Sequence, residues 1–403
     1  MTRVTKISVG IVAIILFILI GWFIYSRITS PNSVSTTITK FLSFPGGGGS
    51  SSSSSGATTG NKTGTADQNQ PVNASVTQIT KEPVIGATLA GDGKSLLFYQ
   101  KIGGNLMRAD LDGGHETAIS NLTVVGITNV MWAADKAYST VGYSDARGTK
   151  YFNQTTAASS TSFLPPGVTS AAWSPKSSMI AYTEMIGSTL RVATTDAKGK
   201  SQKTIYQTSI PDFHVSWIDP NSLILTTTPT YAVSGLAYVI PIGGSAKNFL
   251  SRPGLSLLPA GAKNLLLYSS TDAAGNLQDL RLVNQKTSAI LDVSGIRTLA
   301  EKCAWNQVGS STYCAVPLGA DTINSDGSIR LPDDWYQGKV NFHDALVKIE
   351  ASTGNASLLM TDSQFDMTHL FLTPDEKYLY FINKKDSTLW RVNIGPATNA
   401  GVK

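Results

Sequence analysis

The stretch AAWSPKSSMIAYTE, Ala171–Glu184, followed by TLRVATTDAKG, Thr189–Gly199, decides how this chain is read. An apolar run ends at Trp173. Ser174, Pro175 and Lys176 then make a tight turn, because proline presets φ and small polar residues suit turn conformations. Ser178-Met179-Ile180-Ala181-Tyr182 follows, nearly all apolar, as expected of a strand buried on both faces. A third, alternating strand and a short polar fourth, Gln202–Tyr206, complete the unit. A polar outer strand blunts an exposed sheet edge.

The same order recurs on both sides. ATLAGDGKSLLFYQ (Ala87–Gln100) and LFLTPDEKYLYFIN (Leu370–Asn383) are clear copies, and weaker ones begin at Val130, Val215, Leu255 and Cys303. The residue before the turn falls at Leu89, Trp132, Trp173, Trp217, Leu258, Trp305 and Leu372, in steps of 43, 41, 44, 41, 47 and 67 residues. Seven such units predict an all-β fold, a seven-bladed β-propeller with four strands per blade. Only nine residues follow Ile394, so the last blade lacks an outer strand. Ser75–Thr80 has the character of one, and is expected to close the ring by completing that blade.

The turn pattern in Trp173-Ser174-Pro175-Lys176 and Gly91-Asp92-Gly93-Lys94 resembles the TolB-like, WD40-like propeller repeat. The resemblance spans roughly residues 75–394 and extends to the propellers of dipeptidyl peptidase IV-type enzymes. It implies the fold, not an activity. A linker is expected where TolB-like proteins carry an additional N-terminal α/β domain, and the hydrolase domain of the peptidases is not expected in residues 1–403. Tyr313–Pro317 and Leu331–Gly338 are also similar to uncharacterised membrane-anchored propellers of candidate-phyla bacteria.

Residues 7–25, ISVGIVAIILFILIGWFIY, carry no charge. As a helix they would span about 28 Å, enough for a bilayer core. Arg3 and Lys6 precede them and Trp22 and Tyr25 close them, which predicts a single-pass anchor in the cytoplasmic membrane, with residues 1–6 inside and the propeller outside. Residues 26–74 hold PGGGGSSSSSGATTG and read as a flexible, disordered linker. Residues 395–403 read as a C-terminal tail. The net charge of +5 is concentrated before residue 75: Arg3, Lys6, Arg27, Lys40 and Lys62 face only Asp67 there, and the remainder is close to neutral. Nucleic acid is therefore not an expected partner.

Cys303 and Cys314 flank the turn of the sixth unit symmetrically. Opposed across a hairpin, and outside the cytoplasm, they are expected to form a disulfide.

The long last step places about 24 extra residues between Val316 and Asp344, between the second and third strands of unit six. A loop there lies on the same face as the inter-blade connections, where a propeller presents ligand sites. Asp326, Asp333, Asp334, Trp335, Tyr336 and His343 are the candidate binding residues, the rings as platforms and the carboxylates as acceptors. The competing expectation is a loop packed over the ring mouth, with Trp335 as its own small core. Thr322, Asn324, Asp326, Gly327, Ser328 and Asp333 follow calcium-loop spacing, but with too few carboxylates for tight binding.

No catalytic residue, metal site or cofactor is expected. His115, His214, His343 and His369 stand apart, without a local ligand pair. Ser144, in GYSDA, lacks the strand–turn–helix setting of a nucleophile elbow. The expected role is a tethered, non-enzymatic recognition or scaffolding module for an envelope protein or polymer. The alternatives are a glycan hydrolase or lyase using channel carboxylates, or a structural subunit of a secretion or pilus assembly.

Overall fold

The computed structural model describes residues 75–157, 160–176, 178–260, 264–361 and 364–395. The expected anchor at 7–25, the cytoplasmic tail at 1–6, the linker at 26–74 and nearly all of the C-terminal tail lie outside the described residues. Among the described residues, no helix is long and apolar enough to cross a membrane.

The described strands form seven four-stranded antiparallel sheets. Each runs from an inner strand outward, and the inner strands ring a central channel. Blade 1 is Val84–Leu89, Ser95–Gln100, Leu106–Asp110 and Thr117–Ala118. Blade 2 begins at Ile127–Trp132, blade 3 at Val168–Trp173, blade 4 at Phe213–Asp219, blade 5 at Ser256–Pro259 and blade 6 at Cys303–Trp305. Blade 7 combines Met367–Leu372, Tyr378–Asn383 and Leu389–Asn393 with Val76–Gln78 from the other end of the chain. Val76 pairs with Val392 and Gln78 with Trp390, so the ring closes through its last blade.

Closure also has a core. Leu96 and Phe98 of blade 1 pack with Tyr380, Ile382 and Leu389 of blade 7. The Tyr380 hydroxyl donates to the Leu111 carbonyl at 2.8 Å, and Arg391 Nη1 to the same oxygen at 3.0 Å. Second strands are buried almost throughout, as their unbroken apolar character requires.

The recurrent tryptophan has a specific task. Its indole N–H donates to the inner strand of the preceding blade: Trp132 to Gly86 O at 2.6 Å, Trp217 to Ala172 O at 3.0 Å, and Trp305 to Leu258 O at 3.1 Å. Each of these three rings thus fills the wedge between two blades and satisfies its one donor there, whereas the Trp173 indole N–H is buried without a partner. At Gly86 (φ +66°) a Cβ would stand 2.3 Å from Val130 Cβ, so this close approach needs glycine.

Cys303 and Cys314 are cross-strand partners with Cα atoms 4.0 Å apart, joined as the expected disulfide. The extra residues of unit six are not all loop. Both flanking strands lengthen, to Ser311–Thr322 and Val340–Glu350, and pair out to Thr322 with Val340. Only residues 323–339 leave the sheet, including one helical turn, α1, at Asp333–Tyr336.

Candidate functional site

Residues 323–339 form a lid on the loop face, fastened across four blades. On blade 4, the loop between the second and third strands supplies Thr230 Oγ1 and Tyr231 N, which donate to the Asp333 carboxylate at 2.7 and 3.0 Å. On blade 5, Leu331 N donates to Gly275 O at 2.9 Å. Gly275 (φ +86°) admits this contact, since a Cβ there would lie 2.8 Å from Arg330 Cα. On blade 7, Lys384 Nζ donates to Trp335 O at 2.8 Å and stands 4.8 Å from the centre of its ring.

Within the lid, Asp334 is buried and accepts from Arg330 N at 2.7 Å and Asn324 Nδ2 at 3.1 Å, with Lys339 Nζ 3.7 Å away. Trp335 is only 4% exposed, which fits the expectation of a packed loop with Trp335 as its own small core and not that of an exposed platform. It packs with Leu277, Leu299, Leu331, Val340 and Phe342, because a large apolar ring loses least by facing its own chain. Asp333 and Asp334 are acceptors, but for groups of this chain. Asp326 accepts from Ser328 N and Oγ at 2.9 and 2.7 Å, far from the partners of Asp333, so the calcium spacing does not gather into a cage. Among the described residues there is no group of three or more His, Cys, Asp or Glu able to hold a metal ion. His343 Nε2 meets Asp321 Oδ2 at 2.7 Å on an exposed edge of the hairpin. Hydrogen bonding from His343 holds the Asp321 carboxyl below its usual range.

Beneath the lid lies a cluster that sequence reasoning did not single out. Lys302 ends a 3-10 turn, Ala300–Lys302, just before blade 6. Its Nζ lies 2.9 Å from Asp344 Oδ2 and 2.5 Å from Asp366 Oδ1, and none of the three side chains is exposed. Asp366 Oδ2 accepts from Trp335 Nε1 at 2.8 Å and Phe342 N at 3.0 Å. Asp344 Oδ2 also accepts from Met367 N at 2.6 Å, while its Oδ1 is buried without a partner. Burial pushes the Asp344 carboxyl up to about 6, against the pull of Lys302. No local pattern marks these residues: they lie 42 and 64 positions apart and meet only in the closed blade.

Further titratable groups lie outside that cluster. The Tyr336 hydroxyl donates to Glu301 Oε1. Burial raises the Glu301 carboxyl, and burial together with the Glu301 charge raises the Tyr336 phenol. His369 lies on the inner strand of blade 7 (φ +52°) and stays exposed, yet desolvation by the surrounding protein lowers its pKa.

Away from the lid, an open groove of about 250 Å³ runs between blades 1 and 2, lined by Leu122, Val124, Val125, Tyr143, Phe152 and Phe163. Val125 is 78% and Phe163 64% exposed. Ile102, Ile186, Val233 and Ile323 are also exposed on loops between second and third strands, which share this face.

These features define a seven-bladed propeller with a lidded loop face. Comparison with solved structures agrees on the fold. The chain is similar to an oligogalacturonate lyase from Vibrio parahaemolyticus (12% identity, TM-score 0.55), covering 82% of this chain and 96% of that one. It is similar to an oligogalacturonate lyase in complex with manganese (13% identity, TM-score 0.57) over the same shares of 82% and 96%. Likeness to TolB from Acinetobacter baumannii is lower (13% identity, TM-score 0.44), over 71% of this chain and 65% of that one. No family model and no curated protein matches the sequence.

Proposed function

We propose that this chain is a membrane-tethered recognition module of the cell envelope, anchored by residues 7–25 and working outside the cytoplasm. Its contact surface is the lid-free side of the loop face, and its partner is an envelope protein offering an apolar segment. The groove with Val125 and Phe163 on its rim carries this reading. Exposed apolar side chains gathered at a concave site mark interaction surfaces, whereas isolated ones do not. The cystine in blade 6 supports the location, since such bonds persist in oxidising compartments.

A photo-crosslinking residue at position 163 of the full chain, in native membranes, tests this. One defined envelope protein is expected to be captured, and to be lost when Val125→Ser is added. No capture at position 163, with capture at position 343 on the lid hairpin, would move the surface to the lid. No capture at either position would remove the recognition role.

A second reading is favoured by the hydrogen-bonded pair Glu301 and Tyr336, and by His369 on the inner strand of blade 7. Their shifted ionisation suits acid–base chemistry on a glycan, and the propeller is similar in fold to lyases that act on oligogalacturonate. The manganese of one of those structures has no matching ligand group among the described residues, so no step is assigned to a metal. Appearance of an unsaturated product from oligogalacturonate, abolished by Glu301→Gln, would establish this reading. No product with or without added manganese would end it for that substrate.

A further inference from the structure

We propose that Lys302 and Asp344 join in an intramolecular isopeptide bond, with Asp366 as the proton carrier. The amine lies within 3 Å of oxygens of both carboxylates, at 2.9 and 2.5 Å, and all three side chains are sealed from solvent. A lysine and an acid held at contact distance react as one molecule, at effective concentrations on the order of 10⁵ M or more. Excluded water removes the competing solvation that keeps amines and acids apart in solution.

The two acids are not equivalent. Both oxygens of Asp366 are engaged by donors: Oδ1 by Lys302, and Oδ2 by the Trp335 indole and the Phe342 amide. That environment suits an anion that accepts a proton. Asp344 has a bare, fully buried Oδ1, which suits a neutral carboxylic acid with its hydroxyl on that oxygen. Burial acts in the same direction on its carboxyl. The rings of Trp335 and Phe342, with centres 5.1 and 5.0 Å from Nζ, wall the amine in.

The step balances within the cluster. The Lys302 ammonium passes a proton to the Asp366 carboxylate and becomes a neutral amine. Its lone pair attacks Cγ of the Asp344 acid and forms the C–N bond. The nitrogen gives up a further proton and the Asp344 hydroxyl gains one, relayed through Asp366. The C–O bond breaks and one water leaves. The products are an amide, a water and a protonated Asp366, with no oxidant, reductant or activating group required. A buried ion cluster, which is costly to desolvate, becomes neutral. The bond would tie the entry of blade 6 to its third strand, beside the cystine and under the lid.

The full chain, purified with its N-terminal segment in detergent, tests this by intact mass. The expected mass is below that of the sequence by one water, beyond the two hydrogens lost to the cystine. Trypsin cannot cut after an acylated lysine, so the reduced digest should hold a branched peptide: residues 298–330, uncut at Lys302, joined to residues 340–348. Separate peptides 298–302 and 340–348 from a chain of full mass would overturn the proposal. A branch to residues 349–377 would overturn the choice of Asp344 over Asp366. The Asp366→Asn chain is expected to keep its full mass, and a linked Asp366→Asn chain would overturn the proton-carrier role. The deciding measurement uses the unaltered chain, so it stands even where a variant does not fold.

Discussion

Blades 4–7 and blades 1–3 share one strand plan and differ in what covers their loops. Over blades 4–7, the lid engages Thr230, Gly275, Glu301, Asp366 and Lys384, and charged groups are buried beneath it. Over blades 1–3, second and third strands meet in tight turns at Asp145–Gly148 and Ile186–Thr189, and among the described residues Val125 and Phe163 stay exposed. Buried hydrogen-bonded charges fix one arrangement and tolerate little change, while exposed apolar side chains are indifferent to folding and available to a partner. The covered half is therefore built for rigidity, and the bare half keeps apolar side chains in solvent.

The comparison breaks most severely at Lys302. Lys302→Met removes the one basic side chain that Asp344 and Asp366 share, and with it any cross-link it forms, which is expected to cost about 3–5 kcal/mol of stability. Denaturant unfolding measures this, and a loss below about 1 kcal/mol would mean that the cluster is open to water in solution. Trp335→Ala follows. It empties the core of the lid and frees the Asp366 oxygen that the indole holds, at an expected cost of about 3–4 kcal/mol. Limited proteolysis should then cut within residues 323–339 while blades 1–3 stay intact. Equal cutting everywhere would deny that the lid is a separate layer.

The propeller was legible because its signals are local and repeated. A tryptophan or leucine, a turn and an apolar strand recur at Leu89, Trp132, Trp173 and onward, and repetition makes weak signals concordant. Cys303 and Cys314 were legible because a short hairpin fixes their register. Trp335 was legible only in part: a lid core and an exposed platform both stood as expectations, and the structure shows the core. What decides is Lys384 and Leu277, 49 and 58 positions away in the chain. Lys302, Asp344 and Asp366 carry no local signal for the same reason. Their pairing is a property of the assembled blade, and no residue near any of them announces it. The length of unit six was legible, but not its division into lengthened strands and lid. Pro317 and Gly319 suggested loop, yet the pairing continues past them through a register shift.

A smaller effect belongs to the channel. His369 has its pKa lowered in the folded protein, so the unfolded chain takes up a proton first as pH falls. Its contribution to stability is full above pH 7 and is lost as pH falls through the ordinary histidine range toward the depressed folded value. His369→Asn, which tolerates the positive φ, should reduce the fall in melting temperature between pH 7.5 and about 5.5. His369 is exposed, so the change is expected to be slight. A steeper fall in the variant would show that His369 is charged in the fold.

The smallest expected effect on stability is also the sharpest test of the bare half. Val125→Ser with Phe163→Ser removes two exposed apolar side chains from the groove rim, and surface changes of this kind shift stability by about 0.5 kcal/mol or less. The same pair should abolish co-purification of the protein captured from position 163, because apolar area at the groove rim is lost while the scaffold is untouched. Ile323→Ser, on the lid, provides the control: it is 77% exposed, lies on the same face, and should alter neither stability nor capture. If the groove variant lost several kcal/mol, Val125 and Phe163 would belong to the fold. The two halves would then differ only in how their loops are covered.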